Sequence, residues 1–141
     1  MKHLTLILAL LSVSACQNLP QNTQPSMQNA QLSIQAVTSV SAKEAFDWLA
    51  DPKSSWVILD LRIPSVYQQS HLKSAQSLAF DSQFRNILIN MNRNQPYIIY
   101  SESGEDGKQA LEEMRQLGFR NTYNISGGYQ AWLAQGYPIV K

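Results

Sequence analysis

The sequence predicts a single α/β domain built on a largely parallel β-sheet. Short apolar runs, such as residues 56–59 and 96–100, alternate with amphipathic stretches along the chain, and this alternation is typical of βα units. Continuous apolar runs also indicate strands that are buried on both faces of a sheet. The length agrees, because the chain of 141 residues, less an amino-terminal signal and tether, has the size of one domain.

The first half of the domain starts with a short strand at residues 36–38. The following Ser41-Ala42-Lys43-Glu44 is a capping-box pattern, which begins a helix. The apolar run at residues 56–59 predicts a central strand, and Pro64 suits the first turn of a short helix that reaches Tyr67.

The second half continues the alternation. Residues 81–91 carry apolar side chains at helical spacing. A second central strand is expected at residues 96–100, and an amphipathic helix from Lys108 to a terminating glycine at position 118. A further strand at residues 122–125 precedes a last helix at residues 128–135. The tryptophans at positions 48, 56 and 132 fall on apolar faces and are expected in the core.

One connection is a candidate pocket. The strand that ends at Tyr100 passes directly into a helix through Ser101-Glu102-Ser103-Gly104-Glu105-Asp106-Gly107. In parallel α/β sheets, ligands bind beyond the carboxyl ends of the strands, where helix amino termini present unpaired N–H groups. We therefore expect this loop to form the floor of any ligand site.

The amino terminus has the pattern of a targeting segment. Residues 1–15 carry Lys2 and His3 near their start, continue through an apolar run and close on small residues. The sequence Val13-Ser14-Ala15-Cys16 resembles a bacterial lipobox, which implies cleavage before Cys16 and lipidation of its sulfur and new amino group. The mature chain would then be anchored to the membrane through lipid chains. The alternative is an ordinary secretory signal in which Cys16 is incidental.

Residues 16–35 are expected to be the lipidated cysteine and a flexible tether, followed by the domain at residues 36–141. Residues 17–31 contain eight Gln or Asn and two Pro, too little apolar surface to offset the chain entropy of folding. As a flexible coil this segment would reach roughly 20 Å.

Composition excludes several functions. Cys16 is the single cysteine, so the chain forms no intramolecular disulfide, CxxC redox pair or cysteine-rich metal site. Once the signal and its lysine are removed, ten basic residues balance ten acidic ones, and nothing favours nucleic acid. We expect no cofactor, and we expect no metal because carboxylates on a solvated turn usually remain solvated.

Residues spread over almost the whole predicted domain resemble the rhodanese domain. The resemblance implies a central parallel sheet with helices on both sides, and it marks Asp60 and Arg62 as a pair that supports the surrounding loops. It is carried in order by Leu59-Asp60-Leu61-Arg62-Ile63-Pro64, Tyr67, His71-Leu72, Ala75, Tyr100, Gly118-Phe119-Arg120-Asn121, Gly127-Gly128, Ala131-Trp132 and Gly136-Tyr137-Pro138-Ile139.

Active sulfurtransferases of that family carry a cysteine directly after the strand that here ends at Tyr100. In this chain the position is Ser101. A thiol with a pKa near about 8.5 can ionise and carry a second sulfur, whereas a serine hydroxyl cannot store a persulfide. The carboxylates at positions 102, 105 and 106 also give residues 102–108 a net charge of −2, which opposes an anionic substrate within a Debye length of about 8 Å.

Two other roles are open to these side chains. Ser101 could act as a hydrolase nucleophile, but this needs a base within hydrogen-bond reach. After removal of the signal the one histidine is His71, which the resemblance places in a structural turn before a strand near Ala75. Asp60 and Arg62 could contact a ligand or, as we expect, pair with each other or with nearby backbone.

These observations predict a rhodanese-like domain without sulfurtransferase activity, acting as a binding or scaffolding module in the bacterial cell envelope. The membrane through Cys16 and an envelope protein are its expected partners. Gln17 occupies the position where an inner-membrane retention signal would place aspartate, which favours the outer membrane facing the periplasm. The alternatives are an enzyme that uses the same loop, through residual sulfurtransferase chemistry, Ser101 or an acidic residue, and a purely structural envelope protein.

Overall fold

The structure of the protein is a computed structural model that describes residues 37–141. It contains seven strands and five helices within those residues. The strands are β1 (Val37–Val40), β2 (Val57–Asp60), β3 (His71–Leu72), β4 (Ala75–Ser77), β5 (Tyr97–Tyr100), β6 (Thr122–Ile125) and β7 (Ile139–Val140), and the helices are α1 (Ala42–Ala50), α2 (Pro64–Tyr67), α3 (Phe84–Leu88), α4 (Glu105–Gln116) and α5 (Gly128–Ala134).

Five strands form one parallel sheet in the order β1-β6-β5-β2-β4. The expected α/β fold with a central parallel sheet is therefore confirmed. All four residues of β5 are buried, as its continuous apolar sequence predicts for a strand covered on both faces. From β2 the chain continues to β4 on one side, and from β5 it continues to β6 on the other side. The carboxyl ends of β2 and β5 therefore flank the point where the strand order reverses.

Helices cover both faces of the sheet, as expected. On one face, α1 and α5 enclose a core that includes Ala45, Ile98 and Trp132. On the other face, α3 and α4 enclose a second core that includes Phe84 and Met114.

The three tryptophans differ in burial. Trp132 is a core residue with 3% exposure, as expected. Trp48 and Trp56 are half-buried and stack on each other with ring centroids 5.4 Å apart. They pack against the core from its edge, so the expectation that all three are core residues is correct in full only for Trp132.

Local hydrogen bonds explain where the helices begin. The Ser41 hydroxyl accepts a hydrogen bond from the Glu44 N–H, and the Glu44 carboxylate accepts one from the Ser41 N–H, which is the predicted capping box. The helix predicted over residues 81–91 is confined to α3. The Asp81 carboxylate accepts a hydrogen bond from the Gln83 N–H at 2.8 Å. This bond holds residues 81–83 in a turn before the helix.

The helix after β5 begins at Glu105, three residues earlier than predicted. Gly104 precedes it with φ 89°, a left-handed conformation that glycine adopts readily. Glu105 and Asp106 then occupy the first helical turn, where carboxylates interact favourably with the helix dipole. These two residues and Gly107 therefore belong to α4 rather than to the loop.

The short strands β3 and β7 form a separate antiparallel ribbon. His71 lies in β3, so the expectation of a turn at this position is wrong. Its partner in the register is Val140, a contact from the end of the chain that local sequence does not reveal. No helix between residues 37 and 141 is both long and apolar enough to cross a membrane.

Candidate functional site

The candidate site lies where the carboxyl ends of β2 and β5 meet. Asp60, the last residue of β2, is directly opposite Tyr100, the last residue of β5, in the strand register. The segment from Ser101 to Gly104 then connects β5 to α4. The sheet therefore brings the predicted pair of Asp60 and Arg62 next to the predicted pocket loop.

Ser101 has its hydroxyl inside the loop. The residue is 1% exposed, and its Oγ accepts hydrogen bonds from the N–H groups of Gly104 at 3.0 Å and Gly107 at 3.3 Å. These N–H groups lie at the start of α4, where the helix has no internal acceptors for them. The side chain at the family's nucleophile position thus caps the helix that follows.

The glycine pair at the start of α5 holds the other side of the loop. Ser101 O accepts a hydrogen bond from the Tyr129 N–H at 2.9 Å, and Glu102 O accepts one from the Gln130 N–H at 3.1 Å. A Cβ atom on Gly128 would overlap the Ser101 carbonyl oxygen. Gly127-Gly128 is therefore a close-approach turn and helix start, as predicted.

Asn124 supports the loop from β6. Its side-chain amide donates to Gly104 O at 3.1 Å and to the Ser39 hydroxyl at 3.2 Å. A Cβ atom on Gly107 would overlap the Asn124 Oδ1 atom, so glycine is required there. This Oδ1 atom is buried and has no hydrogen-bond partner among the described residues.

Asp60 and Arg62 form a buried ion pair. Asp60 is 0% exposed and Arg62 is 7% exposed. The Arg62 guanidinium donates to Asp60 through Nη2 at 2.7 Å and Nε at 3.0 Å, and the Arg62 backbone N–H donates at 2.9 Å. Nη2 also donates to Ser70 O at 2.7 Å. The pair thus bonds to itself and to nearby backbone.

Two tyrosines complete the packing around this pair. The Tyr100 hydroxyl donates to Asp60 at 2.5 Å and accepts from the Leu72 N–H at 3.2 Å. The Arg62 guanidinium lies 3.8 Å from the ring centroid of Tyr129, in cation–π contact. The pair is therefore enclosed by groups that match its charges.

These contacts shift the pKa values of Tyr100 and Arg62. Burial, together with the hydrogen bond to Asp60, raises the pKa of Tyr100. Burial alone would lower the pKa of Arg62, but the hydrogen bonds and charge of Asp60 raise it above its ordinary value. Both groups remain protonated at neutral pH, so the cluster is a fixed support rather than a proton donor.

The loop carboxylates are partly neutralised by neighbours. Glu102 pairs with Arg62 at 3.4 Å, and Glu105 pairs with Lys108 at 2.7 Å. The sequence-based net charge of residues 102–108 does not include Arg62, which comes from the loop after β2. Glu102, Ser103 and Asp106 are exposed, so the outer surface of the loop remains acidic even though its interior is closed.

The geometry supports neither Ser101 as a hydrolase nucleophile nor His71 as its base. Within residues 37–141, both hydrogen bonds of Ser101 Oγ are with backbone N–H groups, which are donors and not bases. The His71 Nδ1 atom lies 3.0 Å from Tyr67 O, and the imidazole ring stacks on the Tyr67 ring.

No group of three or more His, Cys, Asp or Glu within residues 37–141 could hold a metal ion. Cys16 lies outside the described residues.

Sequence inspection did not single out Tyr129, Asn124 or Ser70 as site residues. Tyr100 entered only as the end of a strand. Each acts through a contact between residues distant in sequence, for example the hydrogen bond from the Tyr129 hydroxyl to Ser70 at 2.6 Å. The available signal was the aromatic character of Tyr100 and Tyr129, since a buried tyrosine needs a partner for its hydroxyl.

Comparison with known proteins agrees with this geometry. The model of the Rhodanese-like domain family matches residues 41–135. A thiosulfate sulfurtransferase GlpE from Pseudoalteromonas translucida is 29% identical over 82 residues, which cover 58% of this chain and 77% of the relative.

Solved structures share the fold of this chain. A rhodanese-related protein from Thermoplasma volcanium matches with a TM-score of 0.65 at 23% identity, over 73% of this chain and 97% of that chain. The rhodanese-like domain of the Anabaena Alr3790 protein matches with a TM-score of 0.66 at 24% identity, over 72% and 77%. Nearly the whole of the Thermoplasma chain corresponds to part of this one, so the shared fold forms an independent unit in that protein. The chain belongs to the Rhodanese-like domain family.

Proposed function

We propose that residues 37–141 are a rhodanese-like binding module without sulfurtransferase activity, held at a bacterial membrane through Cys16. One observation carries the absence of activity. At the position where active relatives place the nucleophile, the Ser101 hydroxyl is buried and bonded to two loop N–H groups.

The chemistry supports this proposal. Sulfur transfer requires a thiolate that accepts a sulfur atom and carries it as a persulfide. The hydroxyl of Ser101 does not ionise near neutral pH and cannot form that S–S bond. The N–H groups of Gly104 and Gly107 would stabilise a negative charge at this point, but here they are bonded to a neutral oxygen. The loop is retained as structure while its reactive atom is missing.

The exposed side of the loop suits recognition. Glu102 and Asp106 are exposed on a segment whose backbone is fixed by α4 and α5. A fixed acidic surface can bind a partner with little loss of conformational entropy. A basic segment of an envelope protein is the partner class that its charge favours.

The anchor is the second part of the proposal. Lipidation of Cys16, followed by a tether over residues 16–35, would hold the domain within roughly 20 Å of the membrane. Gln17 favours the outer membrane, with the domain facing the periplasm. Membrane fractionation tests this part. The native chain should sediment with membranes in its processed, lipidated form, whereas no such form of Cys16→Ala should be found there. Equal fractionation and equal processing of the two chains would refute the anchor.

The related GlpE protein supplies the alternative of residual sulfurtransferase activity. The test is transfer of sulfur from thiosulfate to cyanide by the purified domain, with Ser101→Ala as the matched variant. We expect both to produce thiocyanate only at the uncatalysed rate. Turnover by the native domain that is lost in Ser101→Ala would show that the loop is catalytic and contradict the proposal.

A further inference from the structure

A groove separate from the Ser101 loop lies between α1, the start of β2 and the turn that joins β3 to β4. It has a volume of about 350 Å³, within the range of small-molecule sites. Its deepest residues are Ile58, Leu72 and Trp132, which are at most 5% exposed. Ser101 is not among the residues that line it, so the groove is independent of any chemistry at the loop.

The groove is lined by aromatic and aliphatic side chains together with polar residues, among them Ser54 and Ser74. Phe46 and Leu49 contribute from α1, and Trp56 contributes from the residue before β2. The indole N–H of Trp132 donates to Pro138 O at 3.1 Å, so this side chain presents apolar surface to the groove without an unsatisfied donor. An alkyl chain can pack against the aromatic and aliphatic part of this lining, because it needs no hydrogen bonds there.

One charge lies at the edge of this apolar surface. Of the described residues that line the groove, Lys73 is the charged one, and no aspartate or glutamate is among them. None of the ion pairs formed within residues 37–141 involves Lys73. It is followed by Ser74, which has φ 66°, so a tight turn places this lysine beside the groove.

We propose that this groove binds a small amphiphilic carboxylate, with the alkyl chain in the groove and the carboxylate at Lys73. At about 30 Å³ per water-sized unit, the volume accommodates roughly a dozen non-hydrogen atoms. Decanoate has this size and the required charge. The complementarity is specific to an anion, because a cationic head group would meet Lys73 with no carboxylate among the lining residues to offset it.

Isothermal titration calorimetry of residues 37–141 with sodium decanoate, below its micelle concentration, tests the proposal. We expect millimolar affinity and at least fivefold weaker binding of decyltrimethylammonium. A fully buried methylene contributes about fourfold in affinity. The groove is open to solvent along one side, so we expect each methylene of a bound chain to be about half buried. Decanoate, with two more methylenes, should therefore bind roughly fourfold more tightly than octanoate.

Variants separate specific binding from general hydrophobic adsorption. Lys73→Glu should weaken decanoate binding about fivefold, and Ala50→Trp, which adds bulk at the groove wall, should abolish it. Arg120→Glu makes the same charge change at another exposed residue and should bind as the native domain does. No heat of binding, equal affinity for the cationic probe, or equal weakening by Lys73→Glu and Arg120→Glu would each overturn the proposal.

Discussion

Replacement of Arg62 by methionine should destabilise the domain strongly. Methionine keeps an unbranched apolar stem but removes the guanidinium that contacts Asp60, Ser70 O and the face of Tyr129. Asp60 is 0% exposed, so its carboxylate would remain buried with the Tyr100 hydroxyl as its side-chain partner. Removing one member of a buried ion pair costs about 3–5 kcal/mol, because the other charge is left uncompensated.

Urea unfolding of residues 37–141, followed by far-ultraviolet circular dichroism, measures this effect. With a slope of about 1.5 kcal/mol per molar urea, the midpoint should fall by roughly 2–3 M. Lys43→Met removes an exposed ion pair with Asp47 and should leave the midpoint within experimental error.

A second variant identifies the cause. If the penalty comes from the unpaired charge, Asp60→Asn combined with Arg62→Met should be more stable than Arg62→Met alone. A midpoint shift below about 0.5 M for Arg62→Met, or a double variant less stable than Arg62→Met, would refute the interpretation of this pair as a structural support of the site.

Three further changes test other contacts. Gly107→Ala should cost more than about 2 kcal/mol in urea unfolding, because its Cβ would overlap Asn124 Oδ1; a loss below about 0.5 kcal/mol would show that β6 does not confine α4. Ser41→Ala should cost about 1 kcal/mol through loss of the capping box, and an unchanged midpoint would show that α1 does not depend on it. Burial raises the pKa of both Tyr100 and Tyr97 above 10.0, so the folded domain holds these protons more tightly than the unfolded chain does. The contribution of Tyr100 to stability is then fully present below about pH 10 and falls above it by up to about 1.4 kcal/mol per pH unit; Tyr100→Phe should reduce this slope, and an identical slope would contradict the assignment.

The sequence was sufficient for elements whose cause is local. The apolar run before Tyr100, the capping box at Ser41 and the glycine pair at residues 127–128 each determine a strand, a helix start or a turn through neighbouring residues. The resemblance then located Ser101 at the family's nucleophile position, and the structure places its hydroxyl against two N–H groups.

Features that depend on distant contacts could not be predicted. The ribbon of β3 and β7 joins His71 to Val140, and neither strand is long enough to have a sequence pattern. The contact of Arg62 with Glu102 at 3.4 Å joins two loops and changes the charge balance at the site. One local contact was also missed: residues 81–91 have helical spacing, yet the Asp81 carboxylate accepts a hydrogen bond from the Gln83 N–H and the helix begins only at Phe84.

The mass of the intact domain after exposure to thiosulfate tests the central claim most directly. The Ser101→Cys variant places a thiol against the same two loop N–H groups and serves as the comparison. The proposed function predicts that the native domain keeps its mass. The Ser101→Cys thiolate should take the outer sulfur of thiosulfate as a persulfide with release of sulfite, and cyanide should then remove that sulfur as thiocyanate. A native domain that gains a sulfur atom, and loses it to cyanide, would contradict the conclusion that Ser101 ends sulfur transfer.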